Sequence, residues 1–174
     1  MQANFAERNQ PYLATSKALH EKNPQMKIAI GTDMDGHVPK LVVEELLKMG
    51  HVVTRFGAFG AATASWPKVA VDVATKVATG QADMGVLFCW TGTGISLAAN
   101  KVKGIRAALC NDAETAAGAR KWNDANVLAM SLRSTSEQVA KEILAAWFST
   151  PPSEDAEDLV CLEYLERLEN ERFR

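Results

Sequence analysis

Short apolar runs rich in β-branched residues alternate along this chain with longer stretches whose apolar positions recur at helical spacing. Residues 27–31 (KIAIG) predict a buried strand. Residues 38–49 predict a helix carrying Leu41, Val42, Leu46 and Leu47 inward, with Gly50 as its stop. A strand over 52–56, a small-residue loop over 57–65 and a helix over 67–79, closed by Gly80, follow. The pattern then predicts a strand at 84–88, a turn at 89–94 and a helix at 95–101. Next come a strand at 105–109, a helix at 113–121, a strand at 126–130 and a helix at 136–148. Strands alternating with helices argue for a parallel sheet covered on both faces. With right-handed crossovers this is an α/β, Rossmann-like, three-layer αβα sandwich with a five-stranded sheet.

Two segments lie outside that repeat. Residues 1–25 form a polar N-terminal extension, with a helical pattern over 12–22. Residues 26–150 form the αβα domain, and 151–174 a C-terminal tail. After Pro151 and Pro152 an acidic run leads into a predicted helix, 158–171. Its Leu159, Leu162, Leu165 and Leu168 recur every three residues and need something to pack on, this core or a neighbouring subunit.

Composition narrows the class. The 174 residues are 47% apolar and 23% charged, with a formal net charge of −2 and a pI near 5.9. A chain of this size can build one full core, and it carries no basic excess for nucleic acid or an anionic membrane. No apolar run approaches the roughly 18–20 residues that span a bilayer. Residues 1–10 lack the apolar core of a secretory signal. Three widely spaced cysteines, Cys89, Cys110 and Cys161, point to free thiols in a reducing compartment, hence a cytoplasmic protein. Three scattered histidines give no metal site; His20 and His51 read as surface or helix-end residues.

Ligands of an open parallel sheet bind beyond the carboxyl ends of its strands. Four features map there: 31–33 (GTD), 89–94 (CWTGTG), 111–112 (ND) and 131–133 (SLR). In the second, Gly92 and Gly94 let amides approach a ligand, and the helix that follows adds its positive end. Such a loop can hold a phosphate or an enediolate oxygen; a tight strand-to-helix turn needs the same glycines. Cys89 sits where a helix end favours a thiolate, able to remove a proton alpha to a carbonyl. The alternative is a buried structural thiol. Cys110 is a second candidate without a glycine loop. Asp33 is placed to hold a substrate hydroxyl or to cap a helix, and Asp35 shares the ambiguity. His37 is the one histidine near this edge, and a lone histidine is more often structural. Arg133 suits a bidentate phosphate contact or a surface ion pair. Trp66, Trp90 and Trp122 flank the candidate site, as pocket walls or as packing.

From about residue 26 to 150 the chain resembles the ribose-5-phosphate isomerase B and galactose-6-phosphate isomerase family. The matching stretches are KIAIGTD, CWTGTGIS, AANKVKGIRAALCND, and NDANVLA ahead of Arg133, in the expected order and spacing. The resemblance implies a Rossmann-like fold and aldose–ketose isomerisation of a sugar phosphate through a cis-enediolate, with no metal or cofactor. It also implies a homodimer or homotetramer with sites at subunit interfaces. It casts Cys89 as the base, and Thr91 with the amides of Gly92, Thr93, Gly94, Ile95 and Ser96 as the loop that helps open the ring and cradles the enediolate. Asp33 and Asn123 become substrate contacts, and Arg133 a phosphate ligand.

The departures are specific. Met34 stands where the family has histidine after the strand-end aspartate. Trp122 takes the place of the ring-opening histidine, and Trp90 that of a glycine after the catalytic cysteine. Glu154, Asp155, Glu157 and Asp158 occupy the place of a basic motif, and Arg167, Arg172 and Arg174 lie beyond. An indole is neither acid nor base near neutrality. Trp122 therefore points to a substrate that is already open, or to another acid such as His37. A four-carbon sugar 4-phosphate, whose terminal oxygen is esterified, cannot close a furanose, and two tryptophans would narrow the pocket. Two other readings stay open: a sugar-phosphate-binding or partner subunit without catalysis, and an isomerase of a non-phosphorylated sugar, which the acidic tail favours.

Overall fold

The computed structural model describes residues 24–60 and 62–172. The helix expected over 12–22, His20 and Arg174 lie outside the described residues. Five strands, β1 (Lys27–Thr32), β2 (Val52–Gly57), β3 (Met84–Cys89), β4 (Ala107–Leu109) and β5 (Val127–Ser131), form one parallel sheet in the order β2-β1-β3-β5-β4. The helices are α1 (His37–Lys48), α2 (Trp66–Ala78), α3 (Thr93–Ala99), α4 (Ala113–Asn123), α5 (Glu137–Ser149) and α6 (Ala156–Arg172).

Side chains alternate between two cores, as the strand period of two requires. Ile28, Ile30, Val86, Phe88, Leu128 and Met130 pack against α1, α4 and α5. Ala29, Leu87, Cys89, Val127 and Ala129 pack against α2 and α3. The near-continuous apolar strands of the sequence are those of a sheet buried on both faces. Gly31 lets α2 come close, since a Cβ there would lie 2.6 Å from Val69 Cγ1.

Several element ends differ from the expected ones by one or two residues, and at two strands the local reason is plain. β3 includes Cys89, which was expected in the turn, because Cys89 still pairs with Ser131. β4 starts two residues after Ile105. The Arg106 N–H is taken by Asn126 Oδ1 (2.9 Å), and the Asn100 amide meets both the N–H and the C=O of Ala107 (2.8 Å each). A side chain thereby stands in for the missing neighbour of an edge strand. α6 is not seated along its leucine stripe. Leu159, Val160, Tyr164 and Leu165 are exposed, Leu162 and Leu168 are half-buried, and Glu169 accepts the Gly104 N–H (3.2 and 3.3 Å).

Of the two readings of His51, surface or helix-end residue, the structure has the second: it follows the end of α1 and is 3% exposed. The turn through Gly50 (φ 88°) folds it under the end of α5, against the Phe148 ring (centroids 4.8 Å apart), where its Nδ1 accepts the Met26 N–H (3.3 Å). No helix among the described residues is long and apolar enough to cross a membrane.

Candidate active site

After β1 the chain moves outward to β2, and it then returns to place β3 on the other side of β1. The crevice at such a reversal is the usual ligand site of an open α/β sheet. Here it lies between the ends of β1 and β3, which carry Asp33 and Cys89. Thr32 pairs with Phe88, and the Asp33 N–H continues the ladder to Phe88 O (3.3 Å). Asp33 and Cys89 are therefore neighbours in register and point to the same face of the sheet, the side of α2 and α3. Cys89 is 5% exposed. Asp33 does not cap α1, whose N-cap is Gly36. Its Oδ1 is buried without a hydrogen-bond partner. Burial pushes its carboxyl pKa up, with its own and the Met34 amides pulling the other way.

The loop after β3 is tied to the loop after β5. Leu132 N–H donates to Cys89 O (3.0 Å), and Arg133 N–H to Trp90 O (3.0 Å), which also accepts from Ser131 Oγ (2.9 Å). These bonds bring Arg133 beside the Cys89 loop and hold Trp90, 56% exposed, at its rim. The role of Ser131 was missed at the sequence level; a serine closing an otherwise apolar strand was the available signal. Gly92, at φ 76°, is the N-cap of α3. The first intrahelical bond is Ser96 N–H to Gly92 O (3.2 Å), so the amides of Thr93, Gly94 and Ile95 precede the helical ladder. Thr91 and Thr93 share a hydroxyl–hydroxyl bond (2.7 Å), and Ser96 Oγ donates to Thr93 O (2.9 Å). The Ile95 side chain is buried in the core, leaving only its amide toward a ligand. A Cβ on Gly94 would lie 3.4 Å from the Trp66 ring, so that indole leans on the loop from α2.

Other candidates are not brought to this point within one chain. Asp112 caps α4, accepting the Thr115 N–H (2.7 Å). Asp35 binds Lys40 Nζ (2.7 Å) and the Gly60 N–H (3.2 Å). The Cys110 thiol is buried and pushed up to about 12, by desolvation first and by Asp112 second. His37 lies at the same sheet edge but on the α1 side, exposed and 2.8 Å from Glu137 Oε1. Arg167 lies on exposed α6, its guanidinium 5.5 Å from the Tyr164 ring centroid. α4 starts at the carboxyl edge and runs back about 16 Å at 1.5 Å per residue. Trp122 and Asn123, at its end, therefore sit at the amino edge. Trp122 is 53% exposed, its ring lying over Gly118. With Asn123, Leu165 and Leu168 it lines a cavity of about 900 Å³ between α4, β4 and α6. Among the described residues no three His, Cys, Asp or Glu side chains cluster as metal ligands would.

A model of the ribose/galactose isomerase family matches residues 28–159. The chain belongs to the ribose/galactose isomerase family. It is 42% identical over 122 residues to ribose-5-phosphate isomerase B of Escherichia coli, covering 70% of this chain and 82% of that one. It is 37% identical over 124 residues to D-erythrulose-4-phosphate isomerase of Pectobacterium atrosepticum, again 70% and 82%. Ribose-5-phosphate isomerase B of Clostridium thermocellum superposes with a TM-score of 0.79 at 35% identity, over 83% of this chain and 98% of that one. Membership in the ribose/galactose isomerase family makes this chain a sugar-phosphate isomerase with the Rossmann-like fold described above.

Proposed function

We propose that the chain interconverts an aldose phosphate and a ketose phosphate by proton transfer through a cis-enediolate, with Cys89 as the base. The observation that carries this reading is the placement of Asp33 and Cys89 side by side at the switch point, with the glycine turn of α3 beyond them. The Cys89 thiolate takes the proton from C2 of the aldose and returns it to C1, while the hydroxyl proton on O2 passes to O1. The Thr93, Gly94 and Ile95 amides face the oxygen that gains charge. Asp33 holds a substrate hydroxyl, Thr91 assists at the oxygens and Arg133 takes the phosphate.

Asn123 completes the site from a second copy of the chain, because within one chain it stands at the other edge of the sheet. Trp122 comes with it. An indole there can donate a hydrogen bond but cannot transfer its proton to a ring oxygen near neutrality, which favours an acyclic, four-carbon sugar phosphate. The relative named D-erythrulose-4-phosphate isomerase supports that substrate length.

Two experiments test the reading. The first is solvent-deuterium incorporation alpha to the carbonyl, across four-, five- and six-carbon sugars with and without phosphate. Exchange confined to phosphorylated sugars, strongest for the four-carbon one and lost in Cys89→Ala, is the expected result. Exchange that survives Cys89→Ala, or no exchange at all, refutes it. The second is complementation by co-expressing Cys89→Ala with Asn123→Ala. In a two-fold dimer with shared sites, half the dimers are mixed and each holds one intact site, so about a quarter of wild-type activity returns. No recovery, from variants that are each inactive alone and still form dimers, refutes a site shared between two copies.

A further inference from the structure

We propose that Asp124 is a positioning residue: held between Arg106 and Arg120, it fixes the turn that ends α4 and so aims Asn123 into the active site. This deepens the reading above and rests on Asn123 contacting the substrate.

Among the described residues Asp124 is the one non-glycine with a positive φ, 41°. Helices commonly end in this left-handed conformation on glycine or asparagine, which adopt it with less strain. An aspartate therefore needs another reason to be there, and its carboxylate supplies one. Oδ2 lies 2.6 Å from Arg106 Nη2, and Oδ1 lies 3.0 Å from Arg120 Nη1. The same arginines bind the adjoining main chain. Arg106 Nε donates to Asn123 O (3.0 Å) and Asp124 O (2.9 Å), and Arg120 Nη1 donates to Ala125 O. Three successive carbonyls thus each have an arginine donor.

The clamp is itself anchored. The Arg120 side chain is 8% exposed, with its guanidinium 5.7 Å from the Trp147 ring centroid. The Arg106 N–H is held by Asn126 Oδ1 (2.9 Å), and Asn126 Nδ2 is held by Gly104 O (2.8 Å). Capping alone would be met by a glycine at position 124, whose N–H would still reach Ala119 O. The arrangement instead over-determines the backbone at Asn123 while leaving that side chain exposed at the end of a rigid element. A ligand group presented across an interface needs this combination, because small errors of placement are costly in rate.

The test is a double-mutant cycle of Asp124→Gly with Asn123→Ala. It reads kcat and KM for deuterium exchange on D-erythrulose 4-phosphate, with urea unfolding and size-exclusion chromatography on each variant. Asp124→Gly keeps the turn and removes both ion pairs. It is expected to lower kcat/KM about 10- to 100-fold with the oligomer unchanged, and to have less than about a two-fold effect once Asn123 is alanine. Equal losses in both backgrounds would mean a structural role only, and an unchanged kcat/KM in Asp124→Gly would also overturn the proposal. If Asn123→Ala alone leaves kcat/KM at the wild-type value, it is the Asn123 reading that fails, and there is nothing for Asp124 to aim. Should Asp124→Gly not fold, Asp124→Asn, which keeps the volume and tolerates the turn, is read through the same cycle.

Discussion

Gly92→Ala tests whether the Cys89 loop is shaped by sterics. Two separate penalties fall on it. The backbone sits at φ 76°, and an L-residue in the left-handed region costs roughly 1–2 kcal/mol. The added Cβ would also lie 2.4 Å from Leu109 Cδ1 and 3.1 Å from the Met130 carbonyl carbon. The leucine methyl can swing away, but Met130 is main chain inside β5, paired with Phe88. Overpacking of this kind costs about 1–3 kcal/mol, for a total of about 2–5 kcal/mol. Gly50→Ala is the control, since its φ is 88° and nothing lies within 4 Å of its Cβ position; only the first penalty applies. Urea unfolding followed by circular dichroism gives both values. Equal destabilisation by the two substitutions would refute the steric account. A Gly92→Ala protein that remains folded should also lose activity, because relief of the clash displaces the Thr93–Ile95 amides.

Three further outcomes follow from the buried titrating groups. Burial holds His51 below its ordinary 6.5, so the unfolded chain takes up its proton first. The stability tied to neutral His51 is complete above pH 6.5 and is lost as pH falls through the folded value; His51→Gln should flatten the urea midpoint against pH on that acid side. Asp33 has the opposite sign: its folded pKa is raised by burial, so its carboxylate destabilises the fold at neutral pH. Asp33→Asn should raise Tm by a few degrees while lowering kcat/KM, and a fall in Tm would contradict this. Cys110→Ala should keep exchange activity within about two-fold of wild type, because its thiol, pushed up to about 12, is not a base at the pH of the assay. A loss comparable to that of Cys89→Ala would reverse the assignment.

The order and type of the elements were legible because the inner strands β1, β3 and β5 are nearly continuous apolar runs and the core helices carry periodic faces bounded by Gly50, Gly80 or a cap. Element ends were less so, since they depend on partners distant in sequence: Ser131 extends β3 through Cys89, and Asn126 shortens β4 by taking the Arg106 N–H. The burial of His51 was hidden for a similar reason. Nothing near position 51 announces that Phe148, almost a hundred residues on, will cover it. α6 shows the limit of periodicity in the other direction. Its three-residue leucine spacing drifts around a helix of 3.6 residues per turn, so Leu159 and Leu165 remain exposed while Leu162 and Leu168 are half-buried.

At the candidate site, Asp33, Cys89, the Gly92 turn and Arg133 were all placed by one rule, that the end of a parallel strand faces the ligand edge. The same rule, applied to the returning helices, locates Trp122 and Asn123. Any residue between the end of a helix and the start of the next strand lies at the opposite edge, so the run WNDAN ahead of β5 was never within reach of Cys89 in its own chain. Resemblance assigns these residues to one site, and topology separates them by the length of α4. Both hold if the site is built from two copies, which gives the exposed Trp122, the 900 Å³ cavity and the uncovered leucines of α6 a common physical reason. Trp122 and Leu165 are apolar surface that an isolated chain leaves in water, at about 25 cal/mol for every Å², and both line the same cavity as Asn123, so a second copy seated there would cover them.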